Sequence, residues 1–228
     1  MGAPLRSRLQ MDERRAQLIE TGLELFGTRS YEDVSIDVIA ERANVSKGLL
    51  YHYFGGKRAF YLEVVRNAAR ALLNATQTDP ALPSLLRGLE AIQRYLDFVC
   101  DNAPQYAALV TGGLGADPEV AAIIEHSRMV FVGRILLELG LTEPRPIFRL
   151  ALRGWIGGVE ASSLEWLARR DVPRQTFVQM ILMSLRATLT TAATLDPEAG
   201  VDLEEFAIPD IGSLSTAIAS SPKANKDS

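Results

Sequence analysis

The sequence predicts an all-α protein, on three observations. Apolar residues recur at three- and four-residue spacings along most of the 228 positions. Alternating runs of β-branched residues are few, and no hairpin dipeptide lies between strand-like segments. The breaks between periodic stretches are helix punctuation: Asp79-Pro80, Asn102-Ala103-Pro104, Gly112-Gly113, Pro144-Arg145-Pro146 and Asp171-Val172-Pro173. The expected organisation is a flexible arm over 1–11, a three-helix helix-turn-helix domain over 12–57, a larger helical bundle over 58–195, and a poorly ordered tail over 196–228.

Residues 34–57 read VSIDVIAERANVSKGLLYHYFGGK and carry the most information. Ser35 is a good N-cap, because its hydroxyl accepts from the free amides of the turn that follows. The helix it opens places Ile36, Ile39, Ala40 and Ala43 on one apolar stripe, with Ala40 small enough for a second helix to cross closely. Asn44 then sits where the chain must turn, and asparagine tolerates the left-handed conformation. Ser46 caps the next helix, anchored by Val45, Leu49, Leu50 and Phe54. Lys47, Gly48, Tyr51 and His52 are left on its outer side, and Lys57 opens the helix beyond.

Those outer groups suit a duplex. Lys47 can reach a base edge or a phosphate, Gly48 lets backbone approach closely, and the Tyr51 hydroxyl suits a phosphate oxygen. The bland alternative is a helical hairpin in which Tyr51, Tyr53 and Phe54 are core aromatics and Lys47 and Lys57 are solvated charges. The order of elements and caps favours DNA binding.

The remaining elements follow by period. A helix runs from Lys57 to about Thr76. The next covers Leu82 to Cys100, with Leu85, Leu89, Ile92, Leu96 and Val99 on one stripe. A shorter helix spans about Tyr106 to Thr111. Asp117-Pro118-Glu119 starts another, since Asp caps and Pro fits the first turn, and it reaches about Leu139. A long helix ends at Arg170, and a last one ends near Thr194. Within the tail, Leu203, Phe206, Ile208 and Ile211 are the residues able to lie in a groove. Gly154, Gly157, Gly158, Ala161 and Ser162 make a small-residue face on the penultimate helix. Met180, Ser184, Ala187 and Thr191 make a similar one on the last.

The segment resembles the DNA-binding domain of the TetR family of one-component transcriptional regulators. The resemblance rests on Ile39-Ala40, Val45-Ser46-Lys47-Gly48, Leu50-Tyr51-His52-Tyr53-Phe54 and Lys57, with Arg15 to Phe26, Gly27 and Tyr31 upstream. It covers the first quarter to third of the chain at motif level. Asn44, Leu49 and Gly55-Gly56 depart from the family pattern, and Leu49 removes a hydroxyl that relatives can use on DNA. By resemblance, Ser46, Lys47 and Gly48 read or approach bases in the major groove, while Ser35, Tyr51, His52 and Lys57 hold phosphates. The arm with Arg6 and Arg8 either reaches an adjacent minor groove or is an unbound tail.

The resemblance also implies a homodimer in which the last two helices pair with their copies, through Gly154, Gly158, Ala161, Met180, Ser184, Ala187 and Thr191. Two heads would then stand roughly 34–36 Å apart, one duplex turn. It implies an effector pocket too. Tyr95, Phe98, Tyr106, Met129, Phe131, Phe148, Trp155 and Val159 are its candidate lining, with Asn102, His126, Arg128, Arg153 or Glu160 orienting a guest. Aromatics at helical spacing are equally at home in an ordinary core. The apolar majority points to a small hydrophobic or amphipathic effector.

Composition agrees and excludes other classes. Residues 1–74 hold 11 Lys and Arg against 9 Asp and Glu, a balance of +2, and the rest hold 13 against 19, a balance of −6. Locally basic character on an acidic chain suits selective rather than blanket nucleic-acid binding. One cysteine, Cys100, excludes an intrachain disulfide framework. With no apolar leader and no uninterrupted span, the expected location is the cytoplasm, away from membranes. Two histidines, His52 and His126, cannot build a zinc cluster, and neither GxxxxGK[ST] nor a strand-borne GxGxxG occurs. An enzyme, a metal and a resident cofactor are therefore not expected. The remaining alternative is a helical adaptor whose helix-turn-helix meets a protein partner, which added salt would weaken far less than phosphate contact.

Overall fold

The computed structural model describes residues 3–111, 117–143 and 145–203, with side chains from residue 11 onward except that of Leu85. Among the described residues the regular structure is helical: α1 (Ala3–Thr28), α2 (Ile36–Arg42), α3 (Lys47–Phe54), α4 (Lys57–Ala75), α5 (Ser84–Asp101), α6 (Ala103–Thr111), α7 (Pro118–Glu138), α8 (Pro146–Arg169) and α9 (Arg174–Leu195). A single 3-10 turn, Pro197–Ala199, follows. The chain divides into two compact units, 1–75 with 97–128 and 76–96 with 129–228, so α5 and α7 each contribute to both.

The first unit is built on α1, which packs on α4 and α6. Its core gathers Leu18, Ile19, Leu25 and Phe26 of α1, Ile39 and Ala40 of α2, Leu50 and Phe54 of α3, and Phe60, Tyr61, Leu62, Val64 and Val65 of α4, closed by Leu109, Val120 and Ile124. Two glycines set how closely α1 approaches its neighbours. A Cβ at Gly22 would fall 2.5 Å from Val64 Cγ2 and 2.8 Å from Phe60 Cζ, and one at Gly27 would fall 3.1 Å from Gln105 Cγ. A larger residue at Gly22 would overpack that crossing.

The second unit centres on the α8–α9 pair. Val132, Phe148, Leu152, Ile156, Leu189 and Ala192 form one core cluster, with Met129, Trp155, Val201 and Leu203 packed against it. Trp166 stacks on Phe177 with centroids 5.1 Å apart, and its Nε1 donates to the Val172 carbonyl at 2.8 Å, which closes the α8–α9 connection. Arg170 ends α8 in the left-handed conformation.

Two boundary expectations are corrected. The segment expected as an arm over 1–11 continues α1 back to Ala3. Leu, Arg and Gln favour helix there, and Pro4 lies in the first turn, where its missing amide costs little. The side chains of Arg6 and Arg8 lie outside the described residues. The tail does not begin as a loose end at 196 either. Asp196 accepts from Arg145 Nη1 at 3.1 Å, and Val201 and Leu203 bury apolar surface on the second core. Phe206, Ile208 and Ile211 lie outside the described residues.

Candidate nucleic-acid interface

The helix-turn-helix is α2 and α3, and its local chemistry explains its shape. Ser35 Oγ accepts from the Val38 amide at 3.2 Å, and Ser46 Oγ accepts from the Leu49 amide at 3.3 Å, so each serine caps the helix it precedes. Acting as acceptors, both hydroxyls keep their own protons to donate. Between the helices Asn44 takes φ 52°, the left-handed conformation that lets the chain reverse in so few residues. Gly55 ends α3 at φ 77°, with its amide bonded to the Tyr51 carbonyl at 2.8 Å.

Burial then separates two faces of α3. Leu50 and Phe54 are buried in the core of the first unit. Lys47, Gly48, Tyr51 and His52 are exposed, as are the caps Ser35 and Ser46, with Tyr51 showing 52% of its surface. Tyr53, half-buried, packs against that core, so the core-aromatic reading fits Phe54 and in part Tyr53 but not Tyr51. Gly48 is informative because nothing inside the chain requires it. A Cβ there would meet only Ser46 Oγ, at 3.9 Å. The absent side chain leaves room outward.

The two lysines are both engaged within the chain. Lys47 Nζ pairs with Asp37 in the first turn of α2, and both side chains are well exposed. Such a pair is weakly held and a phosphate can displace it. Lys57 Nζ lies 4.0 Å from the centroid of the Tyr31 ring, a cation–π contact. Tyr31 stacks on Phe26 and meets Tyr61 edge-on at 5.0 Å, so the lysine rests on an aromatic cluster rooted in the core. Burial raises the Tyr31 and Tyr61 hydroxyls above their ordinary values. Sequence spacing did not point to Asp37 or to Tyr31 as lysine partners. Their positions depend on the α2–α3 crossing and on the path of the loop after α1.

The other expected residues fall as follows. Phe98 and Tyr106 belong to the first unit, and Tyr95, Met129, Trp155 and Val159 to the second. Tyr106 is 1% exposed, a core position. The Tyr95 hydroxyl lies 2.9 Å from Ser163 Oγ, and Trp155 Nε1 donates to Ser184 Oγ at 3.0 Å, tying α8 to α9. A cleft in the first unit, lined by residues including Leu23, Phe26, Tyr61, Val65, Gln105 and Leu109, shares none of the expected pocket residues. Gly154, Gly158, Ala161, Met180, Ser184, Ala187 and Thr191 are all exposed on the single chain. Among the described residues no cluster of His, Cys, Asp and Glu could hold a metal ion, and no helix is long and apolar enough to cross a membrane.

Residues 18–64 match the family described as bacterial regulatory proteins, tetR family, and residues 87–188 match the one described as Tetracyclin repressor-like, C-terminal domain. A tetR-family transcriptional regulator from Streptomyces coelicolor shares 32% identity and a TM-score of 0.76, over 91% of this chain and 96% of that one. The chain belongs to the TetR family of transcriptional regulators. The HTH-type transcriptional activator FasR of Mycolicibacterium smegmatis is 32% identical over 123 residues, which span 52% of this chain and 55% of the relative's length. The transcriptional regulator FadR from Bacillus subtilis, solved in complex with stearoyl-CoA, has the same fold at a TM-score of 0.61, with 14% identity over 76% of this chain and 96% of that one. TetR-family membership does not favour the adaptor alternative.

Proposed function

We propose that this TetR-family protein is a homodimeric, effector-responsive repressor that binds a pseudo-palindromic operator. The observation that carries the reading is the division of α3 into a buried side, Leu50 and Phe54, and an exposed side, Lys47, Gly48, Tyr51 and His52. In this reading α3 enters the major groove with Ser46, Lys47 and Gly48 against base edges. Ser35, Tyr51, His52 and Lys57 hold phosphates on either side. The first turn of α4 adds free amides where Lys57 lies, a natural place for an anion.

Dimerisation runs through α8 and α9, where the expected small residues are exposed beside apolar neighbours such as Leu150 and Met183. The effector is a hydrophobic or amphipathic small molecule held in the helical body. Such a guest lowers operator affinity by its preference for the conformation that binds DNA less well. The stearoyl-CoA complex of a protein sharing the fold is in keeping with that class.

The test begins with an operator selected from a random duplex library by the purified protein. Tyr51→Ala and Lys57→Ala are expected to weaken binding to selected and scrambled DNA alike, each about tenfold, the worth of one hydrogen bond to a charged group. Lys57→Ala should also reduce the salt slope by about 1, one fewer phosphate neutralised. Unchanged affinity in both proteins sinks the assignment. Gly48→Ala separates folding from recognition: melting should rise, since alanine favours helix by about 0.5–1 kcal/mol, while operator affinity falls. A rise in stability with full affinity would show that α3 does not approach the duplex closely at Gly48.

A further inference from the structure

Lys57 and Arg58 open α4 side by side, yet they are held by different elements. Lys57 rests on Tyr31, whereas Arg58 is gripped by the first turn of α7, which lies 59 residues further along the chain. Arg58 Nε donates to Asp117 Oδ2 at 2.8 Å and Nη2 donates to Asp117 Oδ1 at 3.0 Å, a two-pronged pairing. Nη2 also donates to Glu119 Oε1 at 2.9 Å.

Asp117 is fixed from behind as well. Its Oδ1 accepts from the amides of Glu119 at 2.9 Å and Val120 at 3.4 Å, capping α7, and its side chain is only 11% exposed. From Glu119 the chain of charges continues to Arg66 at 3.7 Å. Arg66 Nη1 donates to Glu63 Oε1 at 2.9 Å, and Glu63 accepts from Arg15 of α1. One line of ion pairs therefore joins α1, α4 and α7 within the first unit.

An ion pair with its cation half open to solvent adds little to stability, so this arrangement is better understood by what it orients. A guanidinium held by two prongs fixes direction as well as distance. Only Gly55 and Gly56 separate the end of α3 from Lys57. Across that short link Phe54 of α3 lies edge-on to Phe60 of α4 at 4.8 Å, so what orients the start of α4 also bears on α3.

We propose that Arg58 and Asp117 are positioning residues for DNA binding: their clasp orients the first turn of α4, and so the phosphate contact at Lys57 and the exposed face of α3, without touching DNA. The inference rests on the reading of α3 as the recognition helix. Its consequence runs against simple electrostatics. If Arg58 were a phosphate contact masked by acids, removing the Asp117 charge would leave only Glu119 to hold it and would tighten binding. A positioning clasp requires the opposite, since a loosened first turn must be ordered again on DNA. The Arg58 guanidinium holds the Asp117 carboxyl below its ordinary value, so the clasp is charged throughout the neutral range.

The experiment compares wild type, Arg58→Gln, Arg58→Lys, Asp117→Asn and the Arg58→Gln/Asp117→Asn double variant on the operator selected by wild type. Asn retains the capping oxygen, so α7 still starts normally in Asp117→Asn. Each single variant, Arg58→Lys included, is expected to lose about tenfold in operator affinity, within the range of coupling seen for residues in one network. The double variant should be no weaker than either Gln or Asn single variant, and all should melt and dimerise as wild type does. Unchanged or tighter binding by Asp117→Asn overturns the proposal, as does a double variant whose loss is the product of the two. Full affinity in Arg58→Lys overturns it too, because charge alone would then suffice. A wild-type protein that enriches no duplex would overturn the DNA-binding reading itself, and the clasp's role with it.

Discussion

A Gly158→Glu protein is expected to elute at the mass of one chain and to bind the selected operator about 10²- to 10⁴-fold more weakly, the range that loss of a second linked contact produces. The face of α8 and α9 carrying Gly154, Gly158, Ala161, Met180 and Ala187 is exposed, and Leu150 and Met183 show 66% and 54% of their surface. A Cβ at Gly158 would meet no atom within 4 Å, so the fold of the single chain accepts a longer residue there. Glutamate also favours helix over glycine, so the chain should melt no lower than wild type without its partner's contribution. In the proposed dimer the same change would bury two unpaired carboxylates, which an apolar interface does not tolerate. Light scattering on the eluted protein checks the outcome. A stable dimer at micromolar concentration would place the interface elsewhere.

Phe60→Ala should cost about 3–5 kcal/mol, the usual loss for emptying an aromatic site in a core. Phe60 has no exposed surface and is the ring on which three elements meet. It lies edge-on to Phe54 of α3 at 4.8 Å and tilted against Phe26 of α1 at 6.2 Å, and Gly22 of α1 presses close to it. Removing it leaves α3 without its support and the α1–α4 crossing without its filler. Since whole domains are stable by only about 5–15 kcal/mol, the DNA-binding unit should unfold well before the wild-type midpoint in urea. A loss under about 1 kcal/mol would mean that the cavity collapses at little cost, contrary to the close packing around Gly22.

Much of the head was legible in the residues themselves. Ser35 and Ser46 cap because a hydroxyl one position before a helix can reach only a few amides. Asn44 turns left-handed because the chain between Ala43 and Val45 has no longer route. The start of α7 at Asp117-Pro118 follows from the same local chemistry. Each of these depends on atoms within about four residues. The arm was misjudged because its polar residues are compatible with either coil or helix, and continuity with α1 decides between them.

Amphipathic period, caps and breaks thus determined by themselves that the chain is all-helical, that a helix-turn-helix lies near its start, and which side of α3 is left exposed. Tertiary structure alone decided that Lys57 rests on Tyr31, that Lys47 pairs with Asp37, and that Arg58 meets Asp117 59 residues away. It also placed Tyr106 in a core and left Gly154, Gly158, Ala161, Ser184, Ala187 and Thr191 of α8 and α9 exposed on the single chain. The physical reason is range. Helix formation and capping are set by neighbours a few residues apart, whereas ion pairs and ring contacts between elements depend on crossing angles that no local pattern encodes.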